Sequence, residues 1–494
     1  MKYILAIDQG TSSSRCILYD QETQPVAVAQ QEFKQWYPHP GWVEHDAEEI
    51  WQTQASVIKQ VLQQQDLKPS DIAGIGITNQ RETTVIWERK TGKPIYNAIV
   101  WQDRRTADEC TRLKDAGFEP LIQTKTGLLL DAYFSATKIK WILDNVEGAR
   151  TKAERGELAF GTIDSWLVWN LSQGELHITD VSNASRTLLY NIEQLRWDEE
   201  LLALFDIPPS LLPTVRTSSE VYGLTLHPEI GLGIPIAAIA GDQQAALFGQ
   251  LCHQPGMAKC TYGTGSFLMM NTGRKKVDSK HRLLTTIAWQ IGDDVTYALE
   301  GSVFMGGAVM QWLRDGLMVF KQASDSEALA SSVSDNGGVY FVPALTGLGA
   351  PHWDPHARGA IFGITRGTTR AHLARAALES VAFQVDELLH TMTLDCGGPI
   401  SQLRIDGGAA NNNLMVQFQA DISNINIARP DNLETTALGA AYLAGLAVGF
   451  WKMEELGQSW RINQLFTPNL PSEQVGSLKH YWQKAVGRAK NWAE

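Results

Sequence analysis

Two short polar stretches gather residues whose types suit a bound anion. The first, Asp8-Gln9-Gly10-Thr11-Ser12-Ser13-Ser14-Arg15, follows the apolar run Tyr3–Ile7, and the second, Gly263-Thr264-Gly265-Ser266, follows Met257–Tyr262. A glycine lets backbone N–H groups come close to an oxyanion. Thr11, Ser12 and Ser13 add hydroxyl donors, and Arg15 can neutralise a phosphate oxygen. Asp8 is a hard oxygen ligand that can hold Mg²⁺ directly or through its water shell. Alone, the first stretch reads equally well as a solvated turn, because Gly, Ser and Asp are the commonest turn formers. A matching turn with Thr264 in the other half shifts the balance toward a clamp that grips a polyphosphate from both sides.

A third candidate is Asn79-Gln80-Arg81-Glu82-Thr83, just beyond the apolar run Ile72–Ile77. Open α/β sheets bind ligands at the carboxyl ends of their strands. Arg81 presents a fork of donors and Glu82 an acceptor, a pairing that suits vicinal hydroxyls. As an isolated, exposed ion pair the two would count for little.

These residues need strands to end on them. Ile4–Ile7, Cys16–Tyr19 and Pro25–Gln30 read as three strands. Asp46 and Glu49 then form a capping box before Ile50, Ala55, Ile58, Val61 and Leu62, which recur at helical spacing. Ile72–Ile77 is a further, buried strand. In the second half, Met257–Tyr262, the Gly/Thr/Ser turn and Phe267–Met270 repeat the opening pattern. Leu283–Ile291, Val295–Leu299 and Leu403–Ile405 read as further strands, and helices are predicted over Thr369–Met392 and after Thr435. Strand, turn and strand at the start of each half predict an α/β chain with a duplicated domain, 1–249 and 250–494, and a ligand cleft between the halves.

The 494 residues carry a net charge of −12, with 44% hydrophobic and 19% charged residues. That balance fits a globular chain with a large core and excludes the broad basic stripes used on nucleic acid or membrane surfaces. Five cysteines without C-x-x-C spacing fit a reducing compartment. Met1-Lys2 leads straight into a strand with no secretory apolar region, so a cytoplasmic protein is expected. The uncharged stretch Thr435–Trp451 is short for a membrane span and rich in Gly and Ala, which predicts a closely packed buried helix. The chain lacks G-x-x-x-x-G-K-[ST], a post-strand G-x-G-x-x-G and the protein-kinase signature set, which disfavours P-loop, Rossmann and protein-kinase readings.

DQGTSSSR, ITNQRETTVIW, AIVWQDRR, YFSATKIKWILDN, GTIDSWLVWNL, TDVSNASRTLLYNI, AGDQQAALFGQ, TYGTGSF, GLGAPHWDPHARGAIFGITRGT, DGGAANNNLMVQFQADI and TTALGAAYLAG occur in this order from residue 8 to about 445. The set resembles the glycerol kinases of the FGGY family of carbohydrate kinases. The resemblance implies two actin-like (ribonuclease H-like) ATPase domains, ATP and Mg²⁺ as cofactors, glycerol as the small-molecule partner and a homodimer or homotetramer. It implies that Arg81, Glu82, Tyr133, Asp242 and Gln243 bind the polyol while Trp101 and Phe267 cover its carbon chain. It also implies that Gly307, Gln311, Gly408 and Asn412 line the nucleotide site with Thr11, Ser12, Ser13, Arg15 and Thr264. Asp242 ends the apolar run Ile234–Ala240. A carboxylate there can orient an alcohol and accept its proton as the phosphoryl group arrives. Another kinase of the family, acting on a pentulose or longer polyol, and an actin-like or chaperone-like ATP switch remain as alternatives.

Some relatives are inhibited by fructose 1,6-bisphosphate through a Gly-rich, Arg-containing loop just before D-Q-Q. Here no Lys or Arg lies between Arg216 and Lys259, so this inhibition is expected to be weak or absent. Other relatives are phosphorylated on a histidine in this region. His227 is the only candidate, and its neighbours Leu226 and Pro228 do not fit that motif.

Overall fold

The computed structural model describes residues 2–354 and 356–493. Its first sheet comprises β1 (Tyr3–Gln9), β2 (Ser13–Tyr19), β3 (Pro25–Glu32), β4 (Ile72–Asn79), β5 (Ser219–Leu224) and β6 (Pro235–Gly241), in the order β5-β6-β4-β1-β2-β3. β1, β2 and β3 form an antiparallel meander, β1 runs parallel to β4 and β4 to β6, and β5 closes the edge antiparallel.

The second sheet comprises β7 (Met257–Tyr262), β8 (Ser266–Gly273), β9 (Leu284–Ile291), β10 (Asp294–Val303), β11 (Gln402–Asp406), β12 (Ile427–Pro430) and β13 (Ile462–Phe466). Its order is β9-β10-β8-β7-β11-β12-β13. β7 is antiparallel to β8 and parallel to β11, β11 is parallel to β12, and β13 closes antiparallel. Apart from the additional β9, the two sheets share one order and one set of directions. The repeated strand–turn–strand signal in the sequence has this basis.

The central strands are covered on both faces. Ile4, Leu5, Ala6 and Ile7 of β1 are all fully buried, as a continuous apolar run requires. Helix α1 (Ala47–Gln64) packs Ile50, Val57, Ile58 and Val61 against the first sheet. The predicted capping box forms only in part. Asp46 accepts from the N–H groups of Glu48 and Glu49 at 2.9 and 3.4 Å. The Glu49 carboxylate, however, accepts from the Lys34 N–H at 3.2 Å and ties the segment after β3 to the helix.

Four further helices frame the site: α2 (Asp242–Gly249), α3 (Ala308–Asp315), α4 (Arg370–Cys396) and α5 (Thr435–Ala447). The helix predicted over Thr369–Met392 begins after Thr369, its N-cap, and continues to Cys396, where Gly397 at φ 67° ends it. α5 belongs by sequence to the second half, yet it lies against α2 and against β1, β4 and β6 of the first sheet. A Cβ on Gly249 would sit 2.0 Å from the Thr435 carbonyl oxygen, and one on Gly439 1.8 Å from that of Ala245. The two helices therefore meet backbone to backbone, which explains the Gly/Ala composition. Among the described residues no helix is long and apolar enough to cross a membrane.

Candidate active site

The two polar turns are built differently. In the first, the Gly10 N–H donates to the Ser13 carbonyl at 3.0 Å and closes the hairpin between β1 and β2. The Gln80 and Gln35 amides donate to the Gly10 and Thr11 carbonyls at 3.0 and 3.1 Å. The turn's carbonyls are thus satisfied from the protein side. Ser12 is exposed, and Ser13 Oγ accepts from Gln30 at 3.0 Å.

In the second turn the Gly263 N–H donates to the Gly265 carbonyl at 2.9 Å. The N–H groups of Gly306 and Gly307 donate to the Thr264 and Gly263 carbonyls at 2.9 and 2.8 Å. A Cβ on Gly307 would lie 2.8 Å from the Gly263 oxygen, and one on Gly265 2.6 Å from the Val303 oxygen. This turn leans on the start of α3 by backbone alone, with Thr264 exposed above it and Gln311 exposed on α3. Beyond β11, Gly408 opens a short 3₁₀ turn with free space on its Cβ side. Asn412 Oδ1 accepts from the Met415 N–H at 3.0 Å, which caps the next helix.

An aromatic group links the two turns. The Trp101 indole N–H donates to Thr11 Oγ1 at 2.9 Å. The same ring meets Tyr133 edge-on at 5.6 Å and Phe267, one residue past the second turn, at 6.3 Å. Trp101 and Phe267, the two rings expected to cover a polyol carbon chain, are together with Tyr133, expected to bind the polyol, and they connect the two polar turns. Such a wall excludes water from a reacting alcohol.

The charged floor comes from the loop after β4. Glu82 holds φ at 62°, a left-handed conformation unusual for a residue with a side chain and costing roughly 1–3 kcal/mol. That backbone is held by Ser135 Oγ, which donates to the Glu82 carbonyl at 2.9 Å. Arg81 is buried, and its Nε lies 3.1 Å from Asp242 Oδ1. Its Nη1 and Nη2 grip Glu300 at 2.6 and 2.9 Å, and Nη2 lies 3.5 Å from the Tyr133 hydroxyl. Gly241 makes this passage possible, since a Cβ there would sit 2.7 Å from Arg81 Cδ.

Asp242 is the first residue of α2, where the helix N-terminus favours an anion. Its Oδ1 also accepts from the Gln243 N–H at 2.8 Å, and its side chain is one-third exposed. It thus stays accessible while remaining oriented. Arg186 donates from Nε to Glu82 at 2.6 Å and from Nη2 to Glu300 at 3.0 Å. Lys259, fully buried on β7, donates to Gln243 Oε1 and to Thr261 Oγ1, the latter at 2.8 Å.

The electrostatics follow from this crowding. Burial pushes the Glu82 carboxyl above its ordinary value, while Arg81 and Arg186 oppose the rise. Burial acts likewise on Glu300, but the two guanidiniums win and hold it down at about 2. Burial pushes the Lys259 ammonium down. Burial raises the Asp8 carboxyl to about 7; Arg15 opposes this, and the charges of Asp242 and Glu434 add to it. A divalent cation would relieve that repulsion. Among the described residues no group of three or more His, Cys, Asp or Glu is arranged to hold a metal. Mg²⁺ needs no such cage, because it keeps several waters and takes one or two carboxylates plus substrate phosphates. Asp8 therefore fits it.

Several residues fall where the sequence reading did not look. Glu300, Arg186 and Lys259 enter the site beside Arg81, Asp242 and Gln243. Arg15 is ion-paired with Glu434, just ahead of α5, rather than free to meet a phosphate, and it lies near enough to Asp8 to act on its charge. The only advance signals were a Glu and a Lys inside apolar runs, in ALEGSVF and MAKCTY. His227 is half-buried, with its ring edge-on to Trp51 at 5.1 Å. Lys59 of α1 reaches Glu229, so the segment before Asp242 has a basic neighbour that its own residues did not reveal.

The models of the FGGY carbohydrate kinase N-terminal and C-terminal domains match residues 3–249 and 258–448. A protein named glycerol kinase from Paraburkholderia phytofirmans is 60% identical over all of this chain and 99% of its own length; so is one from Parabacteroides distasonis. The crystal structure of Plasmodium falciparum glycerol kinase with ADP superposes with a TM-score of 0.93 at 39% identity, covering 99% of this chain and 98% of that one. A ligand-bound xylulose kinase from Lactobacillus acidophilus, 23% identical over 99% of this chain and 97% of its own, shares the fold with a TM-score of 0.86. With paired polar turns on duplicated actin-like sheets, both family models matched and relatives 60% identical over its full length, this chain belongs to the FGGY family of carbohydrate kinases.

Proposed function

We propose that the chain is an ATP:glycerol 3-phosphotransferase of glycerol catabolism, that it forms sn-glycerol 3-phosphate and ADP, and that Asp242 is its general base. The observation that carries the residue assignment is the meeting of Arg81, Asp242 and Tyr133 beneath the Trp101–Phe267 wall, between the two turns. Arg81 and Glu82 bind two hydroxyls of glycerol and leave the third beside Asp242. Asp242 orients that hydroxyl and accepts its proton as the phosphoryl group is transferred. Bound Mg²⁺, held at Asp8, supplies charge neutralisation for the phosphates. Thr11, Ser12, Ser13 and Thr264 donate to the terminal phosphates, and Arg15 contributes its charge from the pair with Glu434. Gly307, Gln311, Gly408 and Asn412 face the rest of the nucleotide from the second half. The wall of aromatic rings keeps water from replacing the alcohol.

The reading divides the chain at 249/250. It also places the enzyme in the cytoplasm, in line with five free cysteines, as a homodimer or homotetramer. The test is ADP release from Mg-ATP with glycerol, dihydroxyacetone, erythritol, xylulose or no acceptor. Strong turnover with glycerol alone is expected, lost in Asp242→Asn with ATP binding retained. Equal turnover with and without an acceptor would overturn the kinase reading, and a preference for xylulose would move the substrate.

A further inference from the structure

The polyol-binding residues all come from the first half of the chain except Phe267, yet the charges that hold them do not. Glu300 lies on β10 of the second sheet and is fully buried. Its two oxygens take both Nη atoms of Arg81, at 2.6 and 2.9 Å, and one of them also accepts from Arg186 at 3.0 Å. Arg186 in turn holds Glu82 at 2.6 Å. Glu300 is thus one bond from Arg81 and two from Glu82.

The bidentate grip fixes the plane of the Arg81 guanidinium. The looser contacts of that guanidinium, to Tyr133 at 3.5 Å and to Asp242 at 3.1 Å, lie among the residues assigned to the alcohol. Glu82, with its left-handed backbone, is kept in line by Arg186. Three carboxylates (Glu82, Glu300 and the partly exposed Asp242) and three buried cations (Arg81, Arg186, Lys259) meet in this cluster, and the second half supplies one of each sign.

We infer that Glu300 is a positioning residue for polyol recognition: it sets Arg81 directly and Glu82 through Arg186, so that a strand of the second half tunes a pocket of the first. This rests on the glycerol kinase reading. A site that hydrogen-bonds each hydroxyl rejects an analogue lacking one, because its buried polar groups are then left unpaired. Loosening Arg81 and Glu82 should erode that rejection more than it erodes nucleotide binding.

The test compares the full-length protein with Glu300→Gln and with the double variant Glu300→Gln/Arg186→Met, which removes one charge of each sign so that Arg186 is not left facing the lost carboxylate. Measured are KM for glycerol, KM for ATP, the ratio of kcat/KM for glycerol to that for propane-1,2-diol, and thermal melting. In whichever variant folds, the expected result is a glycerol KM raised at least tenfold, an ATP KM within about twofold of the parent and a fall in the glycerol/propanediol ratio. An unchanged glycerol KM and ratio with a lowered melting temperature would overturn the inference in favour of a structural ion pair. So would equal losses for both substrates. Failure of the underlying reading would look different, because the parent protein would then show no glycerol-dependent ADP release.

Discussion

The two halves of this chain repeat one sheet plan but furnish the ends of its strands with different groups. Around the end of β4 and β6 the first half concentrates buried side-chain charge: Arg81, Glu82 and Arg186 beside the partly exposed Asp242. Around the end of β7 the second half works mainly with backbone, where Gly263, Gly265, Gly306 and Gly307 touch main chain to main chain. An alcohol must be told apart from water and held for deprotonation, which calls for directional side chains. A nucleotide's phosphates carry charge and shape enough to be held by turns and N–H groups. Under the proposed function the first half would thus supply the selectivity for the alcohol while a turn from each half would share the grip on the phosphates, and the contrast between charged and backbone surfaces can be tested side by side.

The largest effect should come from Asp242→Asn. Loss of a general base that also orients the alcohol should lower kcat by about 10³-fold while ATP affinity, measured by calorimetry, stays near that of the parent. A comparable loss of ATP binding would blur the division. Next is Gly307→Ala, whose Cβ would sit 2.8 Å from the Gly263 oxygen. Displacing the second turn should raise KM for ATP by about tenfold and leave KM for glycerol unchanged in steady-state kinetics. Trp101→Phe keeps an aromatic ring but removes the 2.9 Å bond to Thr11, a direct link between the aromatic wall and the first turn. It should cost about fivefold in kcat/KM for glycerol.

The smallest effect concerns stability. Burial raises the Asp164 carboxyl to about 7 from an ordinary 3.8, although Thr162 and Thr179 donate to it at 2.5 and 2.7 Å. The folded protein therefore holds this proton more tightly than the unfolded chain. The cost of ionising Asp164 is complete above pH 7, shrinks as pH falls and is gone below about pH 4. Asp164→Asn should raise the melting temperature by about 2 °C at pH 8 and leave it unchanged at pH 4. A pH-independent shift would mean that the first half bears no such charge cost there.

The architecture was legible because it is periodic and local. β1, β4, β6 and β7 are apolar runs that stop at polar turns, and the two Gly/Thr/Ser turns carry their own conformational signal. Asp242 stood out because it ends an apolar run, whereas Arg81 and Glu82 read from position alone as an exposed pair and entered the site only through the family resemblance; their burial was not legible. Glu300 and Lys259 were not, because each sits within a strand, and their partners lie 219 residues away for Glu300–Arg81 and 16 residues away for Lys259–Gln243. Arg186 was hidden inside a quoted motif, since nothing local marks which face of the chain it will serve. The Glu49 carboxylate misled for a related reason: the local capping box lost to a tertiary acceptor role at Lys34.

The crossing of α2 and α5 has a mechanical consequence. Gly249 and Gly439 bring the two backbones together at the crossing, and Leu247, Phe248, Leu438 and Tyr442 pack in the cluster around it. Such a contact resists being pulled apart, because separation would open a void. A residue with any bulk at 249 or 439 would act as a wedge, prising a helix of the second half off the sheet of the first on which it rests.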